Sequence, residues 1–172
     1  MFAALFVLPL GAKPEAVPEY DVKAAFLYNF CKFVEWPADS FGGPADAVVL
    51  GVLDASPFGN ALDKLDGRPA GERTVRIRIC ARPEDVVGCH LVFINTETEA
   101  LARRFLSAAK GAPVVTVGEQ APFLSMGGMI RFFREGTKVR FAIDNANARE
   151  AGVRISSQLL KLASRPKNRR GL

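Results

Sequence analysis

Three apolar runs of strand length constrain the fold of this 172-residue chain more than any other feature of its sequence. The runs are AVVLGVLD (47–54), CHLVFIN (89–95) and APVVTVGE (112–119). Strands that are apolar along their whole length are covered on both faces, which is typical of parallel sheets that lie between two layers of helices. A fourth segment, RTVRIRIC (73–80), alternates polar and apolar residues and therefore predicts a half-exposed strand near an edge of the sheet.

The segment VKAAFLYNFCKFVEWP (22–37) predicts a helix that packs on this sheet. When the residues are projected at about 100° per residue, the apolar side chains fall on one broad arc and polar side chains lie opposite. The arc comprises Val22, Phe26, Leu27, Phe30, Cys31, Phe33 and Val34. Such an arc is wider than a coiled-coil seam, and the segment is too short and too polar on one side to cross a bilayer. Pro18 suits the first turn of this helix, and Pro37 predicts its end.

Further helices are predicted between and after the strands. A short helix is expected around residues 57–64, and helical spacing extends over 97–109, with Thr96 as the candidate N-cap. Two more helical segments are expected at 145–151 and 156–163. The chain therefore has enough helices to cover both faces of a sheet.

The segments GGMIRFF (127–133) and KVRFAID (138–144) predict a β-hairpin, because the residues REGT between them supply a glycine-containing turn. Strands that alternate with helices and then close on a hairpin predict an α/β fold. We expect a three-layer sandwich with a mixed, mostly parallel sheet, helices on both faces and a C-terminal β-hairpin. A chain with 49% hydrophobic and 24% charged residues is typical of a globular protein, and its length predicts a single domain.

The first residues, MFAALFVLPLGA (1–12), form an uncharged apolar run that is too short to span the ~30 Å hydrocarbon core of a bilayer. The run is similar to the apolar region of a secretory signal, although no basic residues precede it. We therefore expect residues 1–12 to be a signal peptide, truncated at its start, and residues 13–164 to form the α/β domain.

The positive charge of the chain is concentrated at its C-terminal end. The net charge is +5, and five basic residues occur from position 161 onward without an acidic one. They are Lys161, Arg165, Lys167, Arg169 and Arg170. Residues 165–172 are therefore expected to form a basic tail, which is either a frayed terminus or a segment weakly attracted to a membrane surface. Nucleic acid is not an expected partner, because the rest of the chain is near neutral.

The sequence contains no assembled catalytic or cofactor-binding motif. Neither GxGxxG nor a Walker loop follows the first apolar run, and no GxSxG occurs. The one histidine, His90, precedes an apolar run and is more typical of a strand-edge residue than of a catalytic base. Asp54 and Asp144 end the first and last strands, where they either meet as paired carboxylates or act as turn former and N-cap. Glu119 also follows a predicted strand, and no motif around it indicates a catalytic role. We therefore expect no enzyme activity, no cofactor and no metal site.

The three cysteines allow two interpretations. Cys80 and Cys89 lie at the end of one predicted strand and the start of the next, and Cys31 lies within the opening helix. In an exported protein a Cys80–Cys89 disulfide is expected, and closing this short loop would stabilise the fold by roughly 2–3 kcal/mol. In a cytosolic protein all three would be small buried hydrophobic residues.

The predicted hairpin is rich in aromatic residues, and its alternation divides them between two faces. Ile130 and Phe132 lie on one face of the first hairpin strand, whereas Phe133 lies on the other. One face can pack on the core, and the other is either covered by the last helix or exposed to a protein partner or a second copy of the chain. With Phe141 on the second strand, these four residues are the candidates for partner binding.

Three stretches together resemble the YfiR family: VKAAFLYNFCKFVEWP (22–37), GVLDASPFGNAL (51–62) and GGMIRFFREGTKVRFAIDNANAREAGVRISSQLLKLA (127–163). The resemblance covers nearly the whole predicted domain and implies a small exported α/β protein. The best-known member acts in the periplasm, where it binds the periplasmic portion of YfiN, an inner-membrane diguanylate cyclase, and represses its cytoplasmic output. The resemblance therefore implies a periplasmic repressor that lowers cyclic di-GMP and biofilm formation, with a YfiN-like cyclase as its partner. A homodimer is a separate expectation, which rests on the exposed face of the hairpin.

The chain departs from the characterised family pattern at its cysteines. Its first predicted strand lacks the cysteine that would pair with Cys89, and its hairpin has none. The disulfides through which redox state tunes the known repressor therefore do not carry over to this chain. Two alternatives to the repressor stay open: a ligand-binding protein or enzyme that uses a cleft beside Asp54 and Ser56, and an accessory subunit of another envelope complex.

Overall fold

The computed structural model describes residues 17–43 and 46–164 of the chain. The strands are β1 (Val34–Glu35), β2 (Val48–Val52), β3 (Pro69–Ala70), β4 (Arg73–Ile79), β5 (Leu91–Ile94), β6 (Val115–Gly118), β7 (Ile130–Glu135), β8 (Lys138–Ile143) and β9 (Arg154–Ile155). The α-helices are α1 (Glu19–Phe33), α2 (Glu99–Ala109), α3 (Asn145–Glu150) and α4 (Ser157–Leu162). The predicted signal peptide (1–12) and basic tail (165–172) lie outside the described residues.

Seven strands form one sheet in the order β3-β4-β2-β5-β6-β7-β8. The five inner strands are parallel to one another, and the two edge strands, β3 and β8, are antiparallel to their neighbours. The chain proceeds from β2 outward to β4, then returns across β2 to β5 and continues in the opposite direction. The predicted mixed, mostly parallel sheet with a C-terminal hairpin is therefore confirmed.

Helix α1 covers one face of the sheet, which we call the α1 side. Its apolar residues pack on β2, β5 and the hairpin, and Phe30 is completely buried there. The Phe30 ring lies 5.8 Å from the ring of Phe132 and 5.1 Å from the ring of Phe141, measured between centroids. Helix α4 adds Leu159 to the same core. This layer is the broad apolar arc that the sequence predicts.

Helix α2 covers the opposite face, which we call the α2 side, and a second core forms beneath it. Phe105 and Ala102 of the helix pack there with Val92 and Ile94 of β5. Phe123 is also buried in this core, and its ring fits because Gly118 and Gly128 lack a Cβ that would overlap it. Helices thus lie on both faces, which confirms the three-layer α/β sandwich.

Three local predictions are wrong. The expected helix at 57–64 is a 3₁₀ turn at Ser56–Phe58 followed by further turns, because Phe58 and neighbouring leucines reach the core from irregular backbone. Helix α2 begins after Thr98 rather than Thr96, whose hydroxyl instead accepts a hydrogen bond from the Thr98 N–H.

The third wrong prediction concerns the end of α1. The helix ends at Phe33, before Pro37, because Val34 and Glu35 leave it to pair with Ile155 and Arg154 of β9. This two-stranded antiparallel ribbon joins the beginning and the end of the described domain. Its partners are separated by more than a hundred residues, so no local pattern predicts it.

Candidate functional site

Three polar residues follow the ends of neighbouring parallel strands and line a cleft. Asp54 follows β2, Asn95 follows β5 and Glu119 follows β6. Between β2 and β5 the chain reverses its direction across the sheet, so the connections that leave the two strands run over opposite faces. This cleft, of about 730 Å³, opens at the carboxyl ends of the three strands. In doubly wound α/β proteins this reversal point is where ligands bind.

A buried lysine of α1 forms the floor of the cleft. Lys23 is 3% exposed, and its Nζ lies 2.6 Å from Glu19 Oε1 and also donates to Glu119 Oε1. Nζ further lies 4.2 Å from the centroid of the Tyr20 ring. Burial works to lower the pKa of Lys23, but the hydrogen bonds to Glu119 and Glu19 outweigh it, so the pKa is raised. The lysine is therefore a fixed cation that ties α1 to the carboxyl end of β6.

Sequence reasoning missed this ion cluster, although the sequence contains a signal for part of it. Lys23 precedes Phe30 by seven residues, so it lies within the apolar arc of the helix rather than on the polar side. Glu19 is four residues earlier, at the spacing of a helical ion pair. Glu119, however, is 96 residues away in sequence, and only the sheet brings it to the lysine.

Asp54 and Asp144 do not meet. Asp54 Oδ1 accepts hydrogen bonds from the N–H and the hydroxyl of Ser56, and the serine hydroxyl is the main reason that the pKa of Asp54 is lowered. Asp144 Oδ1 accepts from the N–H groups of Ala146 and Asn147 and so caps α3. Because β8 runs antiparallel to β7, the carboxyl end of β8 lies beside the amino ends of the parallel strands, and not beside the carboxyl end of β2. The turn and N-cap roles are the observed ones.

His90 is held in a structural position. Its Nδ1 accepts from the Val49 N–H at 3.0 Å, and Nε2 donates to the Ser40 carbonyl at 3.1 Å. Its ring stacks on Phe41 with centroids 4.2 Å apart. Both ring nitrogens are therefore occupied, and burial lowers the pKa of the imidazole. A histidine bound in this way has no free nitrogen for general base catalysis.

The two cysteines predicted to pair lie side by side. Cys80 Sγ and Cys89 Sγ are 3.6 Å apart as free thiols, and both are buried on the α2 side. A Cβ at Gly51 would lie 2.7 Å from the first sulfur and 2.9 Å from the second, so glycine is needed there. The pKa of Cys89 is lowered mainly by the hydrogen bond from Cys80, and that of Cys80 is correspondingly raised. The disulfide itself stays a prediction.

Cys31 is separated from this pair by the sheet. It is buried in the α1-side core, and burial raises the pKa of its thiol to about 12. The position of Cys31 agrees with the expectation of a small buried hydrophobic residue in the opening helix.

The four hairpin candidates divide between the two faces. Ile130, Phe132 and Phe141 are at most 2% exposed and lie on the face that packs on the core beneath α1. Phe133 is half-buried on the α2 side, opposite Arg140 in the hairpin register. Of the four, Phe133 alone offers side-chain surface to a partner, and its role stays a prediction.

The described residues include no group of three or more histidine, cysteine or acidic side chains arranged to hold a metal ion. No helix in the described part of the chain is long and apolar enough to cross a membrane. The described residues thus form a doubly wound α/β domain with a polar cleft at the carboxyl ends of its central strands.

The chain belongs to the YfiR/HmsC-like family, whose sequence pattern matches residues 20–164. The resemblance seen in the sequence is thereby confirmed. The family is regulatory rather than catalytic, is periplasmic in general, and indicates a regulator of a diguanylate cyclase in general terms. No curated protein sequence is significantly similar to the chain.

Proposed function

We propose that this protein is exported to the periplasm and represses an inner-membrane diguanylate cyclase by docking on the periplasmic domain of the cyclase. Repression lowers cyclic di-GMP and, with it, biofilm formation. The observation that carries the proposal is the family match, because it spans the whole α/β domain from α1 to the end of α4. The structural roles of His90, Asp54 and Asp144 support a binding function over a catalytic one.

Deletion of the gene tests the proposal directly. We expect cyclic di-GMP and biofilm mass to rise in the deletion strain and to return to the starting level when the intact gene is supplied. The matched control is the gene without codons for residues 2–12, whose product should fold but stay in the cytoplasm and fail to complement. Unchanged cyclic di-GMP in a strain that carries a YfiN-like cyclase would refute the repressor.

A second function is favoured by the cleft beside Asp54. Its volume of about 730 Å³ is that of a small-molecule site, and its position at the reversal point of the sheet is where such sites occur. A thermal-shift screen with nucleotides and metabolites tests this function, since a ligand that binds the native state raises the melting temperature. A ligand of this cleft should lose its effect in the Asn95→Ala variant, because Asn95 bridges the strand ends that form the cleft. An effect that persists in this variant would place the ligand elsewhere.

A further inference from the structure

We propose that the uncovered face of the C-terminal hairpin binds a carboxylate-bearing segment of the protein partner, with Phe133 as the apolar contact and Arg131 and Arg140 as the charged ones. We call these three residues the hairpin outer face. The inference rests on the proposed function, since it names the surface through which the repressor recognises the cyclase. It adds the chemistry of recognition, which the family match does not supply.

The hairpin register places the three residues together. Phe133 pairs with Arg140 across the two strands, and Arg131 precedes Phe133 by two residues on β7. Residues at these positions project from the same face of a sheet. The guanidinium carbon of Arg131 lies 5.4 Å from the centroid of the Phe133 ring. Two cations therefore flank one aromatic ring on the α2 side of the hairpin.

This face lacks the cover that the neighbouring strands have. The core beneath α2 takes its strand residues from β5 and its flanks and includes none from β7 or β8. On that side of the hairpin the small residue Ala142, opposite Arg131, is buried, whereas the larger side chains are not. On the α1 side, by contrast, Ile130, Phe132 and Phe141 all belong to the core. Phe133 consequently stays half-exposed, and the side chain of Arg140 is 41% exposed.

Each of the two arginines has a guanidinium nitrogen that finds no hydrogen-bond acceptor among the described residues. In the described part of the chain, Arg131 Nε and Arg140 Nε are both buried without a hydrogen-bond partner. Arg131 Nη1 donates to the Ala121 carbonyl at 2.7 Å, and burial lowers the pKa of this guanidinium. Arg140 Nε lies 3.4 Å from Glu135 Oε2, but their orientation makes no hydrogen bond. Guanidinium groups that are already partly desolvated gain more from an anion than fully hydrated ones do.

The composition of the face selects a carboxylate beside an apolar side chain. A guanidinium group matches the planar, two-oxygen geometry of a carboxylate, and the Phe133 ring offers apolar area next to it. Glu135 lies in the same strand, so the patch is not uniformly positive and is poorly suited to a polyanion such as nucleic acid or an anionic membrane. An Asp or Glu next to an apolar residue in the periplasmic domain of the cyclase fits these contacts.

The test measures the affinity of the purified protein for the full-length YfiN-like cyclase of the same genome, reconstituted in lipid nanodiscs. We expect the Arg140→Glu variant to bind at least about tenfold more weakly than the wild type. The matched control is Arg76→Glu, an exposed strand arginine that lies 3.5 Å from Asp66 near the other edge of the sheet. Its affinity should stay within about twofold of the wild type. Equal melting temperatures of the two variants establish that both are folded.

A gain-of-affinity variant separates recognition from structure. In Glu135→Gln the carboxylate that competes for Arg140 is removed, so we expect binding to tighten by about twofold to fivefold and to weaken with added salt. If Arg140→Glu binds as the wild type does, or if Glu135→Gln weakens binding, the hairpin outer face is not the recognition surface. If Arg140→Glu dissociates a dimer without changing the affinity for the cyclase, the occupant is a second copy and the inference is overturned.

Failure of this inference is distinct from failure of the proposed function. Wild-type protein that binds the cyclase with an affinity unaffected by these variants overturns the inference alone. Wild-type protein that does not bind the cyclase, together with unchanged cyclic di-GMP in the deletion strain, overturns both.

Discussion

The two faces of the sheet differ in what their aromatic and charged residues do. On the α1 side, Phe132 and Phe141 are enclosed beneath the helix, and Lys23 has two carboxylates as partners. On the α2 side of the same hairpin, Phe133 is half-exposed, and Arg131 Nε and Arg140 Nε have no hydrogen-bond partner within residues 17–43 and 46–164. The difference shows that strand alternation in one short hairpin separates residues that are enclosed in the core from residues that remain partly exposed. Substitutions on each face can test this division.

The largest effect is expected from removing one phenylalanine on the closed side. Phe132→Ala should lower the free energy of unfolding by about 3–5 kcal/mol, because a fully buried ring in contact with Phe30 and Phe93 leaves a cavity. Phe133→Ala, one residue away, should cost less than about 1.5 kcal/mol. Urea titrations of both variants measure the difference. Equal losses would mean that the two faces are not divided as described.

The next largest effect on stability is expected from the cysteine pair of the α2 side. In protein isolated from the periplasm we expect Cys80 to be linked to Cys89, with Cys31 free on the other side of the sheet. The oxidised form should be more stable than the reduced form by about 2–3 kcal/mol, since the bridge closes a short loop of the unfolded chain. Peptide mapping without reductant detects the link. Free thiols at both positions would remove this prediction.

Lys23, the buried lysine of the α1 side, should contribute somewhat less to the free energy of unfolding than the disulfide does. Lys23→Met removes the cation that Glu19 and Glu119 share, although Glu19 keeps its contact with Arg134, and we expect a loss of about 1–3 kcal/mol in the free energy of unfolding. The loss is smaller than for a fully buried pair, because both carboxylates keep contact with water. The control is Lys32→Met, an exposed lysine of the same helix. Chemical denaturation should show no comparable loss for the control.

The smallest effect is a pH dependence at His90. Because burial lowers the folded-state pKa from 6.5, the unfolded state takes up the proton first, and stability should fall as the pH drops below about 6.5. Protonation also removes the acceptor that Nδ1 offers to the Val49 N–H. The melting temperature of the wild type at pH 7.5 and pH 5.5, compared with that of His90→Gln, isolates this contribution. A pH dependence that is the same in both proteins would assign it to other groups.

Much of the architecture could be predicted because it depends on local patterns. The apolar runs at 47–54, 89–95 and 112–119 contain three neighbouring parallel strands, and the alternation of 73–80 marks a strand next to the edge. The N-cap role of Asp144 also follows from its place before a helix. In each case the signal lies within a few residues of the feature that it predicts.

The candidate surfaces were harder to predict, because burial depends on what packs from elsewhere in the chain. The sequence placed Phe132 and Phe133 on opposite faces, but it did not show that α1 covers the first and that the second stays open. The turns after Ser56 were wrongly predicted as a helix for the same reason, since Phe58 is buried by tertiary contacts without helical backbone.

By itself, the sequence determined the class of fold, the face on which each hairpin residue lies and the family to which the chain belongs. These properties follow from periodicity and from short motifs, both of which act over neighbouring residues. The tertiary structure alone decided that Lys23 meets Glu119 and that Val34 pairs with Ile155. It also decided that, among the described residues, the Nε atoms of the two arginines around Phe133 have no acceptor. Each of these depends on groups brought together from distant parts of the chain, and the folded sheet is what sets their distances.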